Sequence, residues 1–152
     1  MLNDVKWDAA GLVPVVAQEQ HTGQIRMVPF ANRTALELTL ERREAHFFSR
    51  SRHGVWKKGE TSGNTMRVNE VWLDCDKDAV IYLVEPHGPT CHTGQLSCFF
   101  TRIDGESPDQ KFAEPTLLRL WNTLEMRRDA DAAKSYTKAL LDKGPERIAE
   151  KI

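Results

Sequence analysis

The chain has three cysteines, Cys75, Cys91 and Cys98, and the first lies inside Asp74-Cys75-Asp76-Lys77-Asp78. Thiols beside carboxylates in so small a protein point to metal chemistry. Thiolate sulfur suits zinc, while carboxylate oxygen suits a hard cation such as magnesium. Structural zinc is usually closed by four protein ligands, so three cysteines fit a catalytic site that keeps one position for water. Taken as an extended segment, Asp74, Asp76 and Asp78 share one face and Cys75 points from the other. One short stretch could then serve two metals. The competing reading is a solvated acidic turn. A calcium loop is excluded, because Ala79 stands where that loop needs glycine.

Cys91 and Cys98 flank a glycine-containing turn in Pro89-Thr90-Cys91-His92-Thr93-Gly94-Gln95-Leu96-Ser97-Cys98. Either cysteine alone could be an ordinary core residue. Histidine is the residue type best suited to proton transfer near neutral pH, which makes His92 a candidate. It could be a fourth ligand, a general base, or an exposed loop residue with no role. Upstream, Ser49-Arg50-Ser51-Arg52 leads into Trp56-Lys57-Lys58-Gly59-Glu60-Thr61-Ser62-Gly63-Asn64. Arginine forks match phosphate geometry, and glycine-rich backbone can cradle anions. A basic surface loop explains the same residues. The spacing is not that of a Walker loop. Glu60 among these cations is either an ion-pair partner or a working carboxylate.

Composition limits what these groups can belong to. A chain of 152 residues makes one domain, or one domain with an appendage. A net charge of −1 leaves no basic excess for nucleic acid. No apolar run approaches the roughly 20 residues that cross a bilayer, and the start carries no secretory signal. An odd number of cysteines argues against a disulfide framework and for a reducing, cytoplasmic setting.

The elements that must position the site read as an α+β unit over residues 1–103. Strands are predicted over 13–18 and 24–30 as a hairpin, then a helix capped by Asn32 with Ala35, Leu36, Leu38 and Leu40 on its apolar positions. Further strands are predicted over 45–49, 67–73, 79–85 and 95–103, the last closing the sheet. Residues 53–64 read as a glycine-punctuated loop. Residues 104–116 read as a polar linker. Residues 117–152 read as a helical tail, with Leu117, Leu118, Leu120, Trp121, Leu124 and Met126 on one helix, a second over 135–143, and a third opened by Pro145.

Taken together in this order, the segments 49–52, 56–64, 74–78, 88–94 and 97–99 closely resemble phosphoribosyl-AMP cyclohydrolase, an enzyme of histidine biosynthesis. The resemblance covers about residues 8–103. It implies a mainly antiparallel β domain in an intertwined homodimer, with each zinc site shared between subunits. It implies zinc on Cys75, Cys91 and Cys98, and magnesium on Asp74, Asp76 and Asp78. The implied reaction is hydrolytic opening of the adenine ring of phosphoribosyl-AMP at the N1–C6 bond. His92 becomes the candidate for proton transfer, and Arg50, Arg52, Lys57, Glu60, Ser62 and Gly63 the candidates for substrate contact. Lys77 stands where glycine is common in the family.

The tail, through Leu120-Trp121-Asn122-Thr123-Leu124-Glu125-Met126 and Ser135-Tyr136-Thr137-Lys138-Ala139-Leu140-Leu141, resembles the opening of phosphoribosyl-ATP pyrophosphohydrolase, which is often fused behind the cyclohydrolase. That family's acidic, magnesium-holding helices come after this segment, and only Glu150 stands near their place. The tail is therefore expected to be a truncated or degenerate domain without pyrophosphohydrolase activity. Two rival expectations are a zinc-stabilised, non-catalytic dimer module and a complete bifunctional enzyme.

Overall fold

The computed structural model describes residues 2–105, 116–128, 131 and 135–149. The chain divides into two compact units, Met1–Ala113 and Glu114–Ile152. In the first, a short 3₁₀ turn (Leu2–Asp4) precedes strand β1 (Val13–Glu19), β2 (Ile25–Met27), β3 (Phe30–Ala31), helix α1 (Arg33–Arg42), β4 (His46–Ser49), β5 (Gly54–Lys57), β6 (Met66–Leu73) and β7 (Val80–Pro86).

These strands form one sheet in the order β5-β4-β3-β1-β7-β6, with β2 also paired to β1. Every pairing is antiparallel except β1 with β7, which run parallel. The fold is thus α+β, with a sheet that is mainly antiparallel as predicted and made mixed by that one parallel pair. The parallel pair puts Val13, Val15 and Ala17 beside Val80, Tyr82 and Val84, all buried.

The sheet curls. β4 and β7 are separated in the order by β3 and β1, and neighbouring strands lie about 4.8 Å apart. Yet the rings of Phe47 and Tyr82 stack with centroids 5.7 Å apart. The two outer regions also meet. Ala45 N donates to Met66 O (2.9 Å) and Val68 N to Arg43 O (2.8 Å), so β6 joins the chain leading into β4. The core fills the resulting hollow, with Phe47, Tyr82 and Met66 its largest fully buried side chains.

Helix α1 follows its predicted cap. The Asn32 side chain accepts from Ala35 N (2.9 Å), which satisfies one of the first-turn donors. Ala35, Leu36 and Thr39 form its buried face, while Leu40 is exposed. Thr39 Oγ1 donates to Ala35 O and accepts from His46 N (3.0 Å), tying α1 to β4.

Three sequence expectations need correction. The predicted strand 24–30 is broken into β2 and β3 at Val28-Pro29, because proline has no N–H to give a ladder. Both pieces still lie along β1. The loop predicted over 53–64 contains β5, whose Phe47↔Trp56 pairing supplies an aromatic contact at 5.2 Å. The predicted closing strand 95–103 is bends and irregular chain instead. The strand predicted over 67–73 is present as β6, with a bulge at Asn69 between the pairs Val68↔Val84 and Glu70↔Leu83.

The second unit contains α2 (Thr116–Arg128), α3 (Tyr136–Asp142) and α4 (Pro145–Ala149). Ser135 caps α3 by accepting from Lys138 N (3.3 Å). Leu120, Trp121 and Met126 of α2 are exposed. The side chains of Leu117 and Leu118, most of the predicted linker 104–116, and Glu150 lie outside the described residues. No described helix is long and apolar enough to cross a membrane.

Candidate functional site

The loop after β7 carries two of the three thiols and is fastened to β2 from both sides. Cys98 N donates to Arg26 O (2.9 Å), and Ser97 Oγ donates to Ile25 O (2.7 Å). Arg26, itself buried, extends Nη1 to Leu96 O (2.7 Å) and pairs through Nη2 with the Glu19 carboxylate. Inside the loop, Cys91 N donates to Gln95 O (3.0 Å) and Gly94 N to Cys91 O (3.0 Å). This closes the 91–95 turn and brings the Cys91 and Cys98 side chains into mutual contact.

The two thiols are unequal. The Thr93 hydroxyl donates to Cys91 Sγ (3.1 Å) and, with backbone donors from Thr93 and His92, holds the Cys91 thiol below its ordinary range. Burial pushes the Cys98 thiol up, and negative charge on Cys91 pushes it further. Cys91 is therefore the first of the pair to lose its proton. His92 Nδ1 stands 3.9 Å from Cys91 Sγ, and the residue is exposed.

These groups open on a cleft of about 540 Å³, within the size range of small-ligand sites. Its other walls include Arg52, Trp56, Lys57, Lys58, Glu60, Ser62 and Thr90. Strand β5 delivers Trp56 and Lys57, and the turn 59–64 folds back over them. Gly59 has φ +80, and a Cβ there would lie 2.5 Å from Asn64 C and Thr65 N. Only glycine fits that return of the chain. Lys58 Nζ donates to Asn64 O (2.8 Å) and so spans the turn. Lys57 Nζ pairs with Glu44 Oε1 (3.2 Å).

Of the residues singled out from sequence, Cys91, Cys98, His92, Arg52, Lys57, Glu60 and Ser62 line this cleft. Gly63 and Arg50 do not. Gly63 serves the turn, its N–H donating to Gly59 O (2.9 Å). Arg50 lays its guanidinium over the Phe30 ring at 4.2 Å.

The acidic cluster lies elsewhere, on the β6–β7 turn. Residues 74–78 are bent, not extended as predicted from alternation. Asp74 N donates to Ala79 O (3.1 Å), and Asp74 Oδ1 accepts from Asp78 N (2.9 Å) and Ala79 N (3.1 Å). Lys77 has φ +72, in the left-handed region that favours glycine. The bend nonetheless gathers carboxylate oxygens of Asp74, Asp76 and Asp78 within 4.8 Å of one another, all exposed. The Ala79 amide leads the hydrogen bonds that hold the Asp74 carboxyl low, while the neighbouring Asp76 charge pushes Asp78 up.

Cys75 belongs to this turn and is exposed. Cys91 lies beyond the other end of β7, whose seven residues span about 20 Å. The three thiols of one chain form no common ligand set. Cys91 and Cys98, both free, offer paired soft donors on a cleft wall, which fits a thiophilic dication such as zinc.

Sequence reasoning missed Lys58, Asn64, Thr90 and Arg26. A signal existed for Lys58. Two consecutive lysines at the end of a strand must face opposite ways, so one of Lys57 and Lys58 had to point inward.

Thiols, an imidazole and cations around one cleft, on a curled α+β scaffold, are the marks of a small enzyme rather than of a packing module. A family model described as phosphoribosyl-AMP cyclohydrolase matches residues 27–100, which span the whole cleft. The chain is 41% identical over 151 residues to the histidine biosynthesis bifunctional protein HisIE of Caldanaerobacter subterraneus subsp. tengcongensis, covering 99% of this chain and 72% of that one. It is 44% identical over 151 residues to the HisIE protein of Thermus thermophilus, covering 99% and 69%. It is 47% identical over 111 residues to the phosphoribosyl-AMP cyclohydrolase of Methanospirillum hungatei, covering 73% and 85%. The chain belongs to the phosphoribosyl-AMP cyclohydrolase family.

Proposed function

We propose that this chain opens the adenine ring of phosphoribosyl-AMP at the N1–C6 bond, a step of histidine biosynthesis. The observation that carries the reading is the single cleft that joins Cys91, Cys98 and His92 to Arg52, Lys57, Lys58 and Ser62. A ring-opening hydrolase for a doubly phosphorylated nucleotide needs a place to activate water and cations to bind phosphate. The paired thiols and the cations on its walls support this reading.

Cys91 and Cys98 are proposed to hold zinc, joined by Cys75 from a second copy of the chain, since Cys75 of the same chain lies apart. Bound zinc lowers the pKa of a water molecule so that hydroxide is available near neutral pH. Arg52 and Lys57 bind phosphate oxygens, and Ser62 and Glu60 face the sugar hydroxyls. Trp56 supplies an aromatic wall. His92, exposed beside Cys91, takes the proton of the attacking water and returns it to N1 as the C6–N1 bond breaks. Asp74, Asp76 and Asp78 are proposed to hold magnesium through oxygen. The shared zinc site makes the homodimer the working unit. The free thiols suit a reducing, cytoplasmic setting.

For the second unit, the proposal is that it does not hydrolyse pyrophosphate bonds by itself. Among its described residues no three acidic groups converge. The test of the main reading is ring opening of phosphoribosyl-AMP, followed by absorbance, for the chain and for His92→Ala with zinc content checked. The variant should keep zinc and lose about 100-fold or more in kcat. Undiminished turnover would take His92 out of the reaction.

A further inference from the structure

Lys58 is a buried cation without a carboxylate. Its residue is only 7% exposed, and among the described residues the one hydrogen-bond partner of its ammonium is a neutral carbonyl, Asn64 O at 2.8 Å. Lys57, next in the chain, has Glu44 for a partner. Arg26, equally buried, has Glu19. A buried ammonium with no opposite charge is costly, and such charges persist in folded proteins when something pairs with them. Lys58 shares its cleft wall with Cys91 and Cys98; burial pulls the ammonium below its ordinary range, and the charges of Cys98 and Cys91 act against that pull. The remaining carboxylate on the cleft, Glu60, is exposed and lies across the Gly59 turn.

We propose that Lys58 is the counter-cation of the Cys91–Cys98 pair and strengthens their hold on a thiophilic dication. The inference rests on the zinc reading above. Three thiolates around a doubly charged ion leave one net negative charge. Lys58 cancels it from a position fixed by the Asn64 carbonyl, without being a ligand itself. It is a positioning residue that acts through the cysteines. Partners just outside a metal's ligands commonly set affinity in this way.

The other role open to Lys58 is mechanical, as a strut across the 59–64 turn. Two substitutions separate the roles. Lys58→Met keeps the volume and removes the charge, and Lys58→Arg keeps the charge. Zinc affinity of the full chain is measured by competition with a chromophoric chelator, and the thermal midpoint of the metal-free protein is measured alongside. The counter-cation role predicts zinc binding weaker by about 10- to 100-fold in Lys58→Met and restored to within a few-fold in Lys58→Arg. It also predicts that Lys58→Met costs less affinity when Cys98→Ser has already removed one thiolate. Unchanged zinc affinity in a folded Lys58→Met overturns the proposal and leaves the zinc site standing. Equal losses in Lys58→Met and Lys58→Arg, with equally lowered midpoints, assign Lys58 to the strut and overturn it too. Wild-type chain that takes up no zinc overturns the metal reading itself.

Discussion

Gly59→Ala is the sharpest test of how the cleft is built. Gly59 sits at φ +80, where an L-residue pays about 1–2 kcal/mol. The added methyl would also lie 2.5 Å from Asn64 C and Thr65 N. Comfortable carbon contacts are about 3.5–4 Å, so backbone on one side of the turn must retreat by about 1 Å. Overpacking of that kind costs about 1–3 kcal/mol. The sum is about 2–5 kcal/mol. For a unit of this size, that lowers the thermal midpoint by about 10–20 °C. Gly63→Ala is the internal control. It shares the left-handed backbone, with φ +75, but has nothing within 4 Å of a Cβ. It should cost only the conformational part, about 1–2 kcal/mol. Displacement of Lys58 and Glu60, which flank Gly59, should cut kcat/KM by up to about 100-fold. Urea denaturation of the two variants, with ring-opening kinetics, measures both effects. If Gly59→Ala and Gly63→Ala agree within about 0.5 kcal/mol, in line with the usual surface scatter, the close return of the chain at 64–65 is refuted.

Three more outcomes follow from the same geometry. Arg26→Met leaves the partly buried Glu19 unpaired, and should cost about 3 kcal/mol in denaturant melts; it also frees Leu96 O, so zinc affinity should fall with stability, and a neutral result would remove the pair as the loop's anchor. Lys77→Gly relieves a left-handed lysine in the acidic turn and should be neutral to stabilising by up to about 1 kcal/mol, with a measurable loss of stability contradicting the bend described. Mixing unfolded Cys75→Ala and Cys91→Ala chains and refolding them should recover about a quarter of wild-type turnover, because a shared site across a twofold leaves one intact centre in each mixed dimer; no recovery would place all zinc ligands in one chain.

Much of the scaffold was legible because local rules and tertiary packing agree there. Asn32 caps α1 as its side chain dictates, and β1 and β7 carry β-branched residues onto the buried face. Failures came where local chemistry is ambiguous. Pro29 breaks a run that reads as one strand, and Val55-Trp56 sits between glycines and basic residues that mask β5. The 95–103 stretch is apolar enough for a strand, but Ser97 and Cys98 spend their hydrogen bonds fastening the loop to β2. Within the site, residue types were readable and placement was not. Alternation put the three aspartates on one face of an extended strand, whereas Lys77 in the left-handed region bends the segment and still gathers them. Lys58 was readable only as one of two consecutive lysines, and its place on one cleft wall with Cys91 and Cys98 came from the fold.

The most direct test of the account is turnover of phosphoribosyl-AMP as metal-free chain is titrated with zinc in the presence of magnesium. The account predicts ring opening that rises linearly and saturates at one zinc per chain, with no response in Cys91→Ser. Stoichiometric zinc uptake with no ring opening, or full turnover in the metal-free chain, would contradict it.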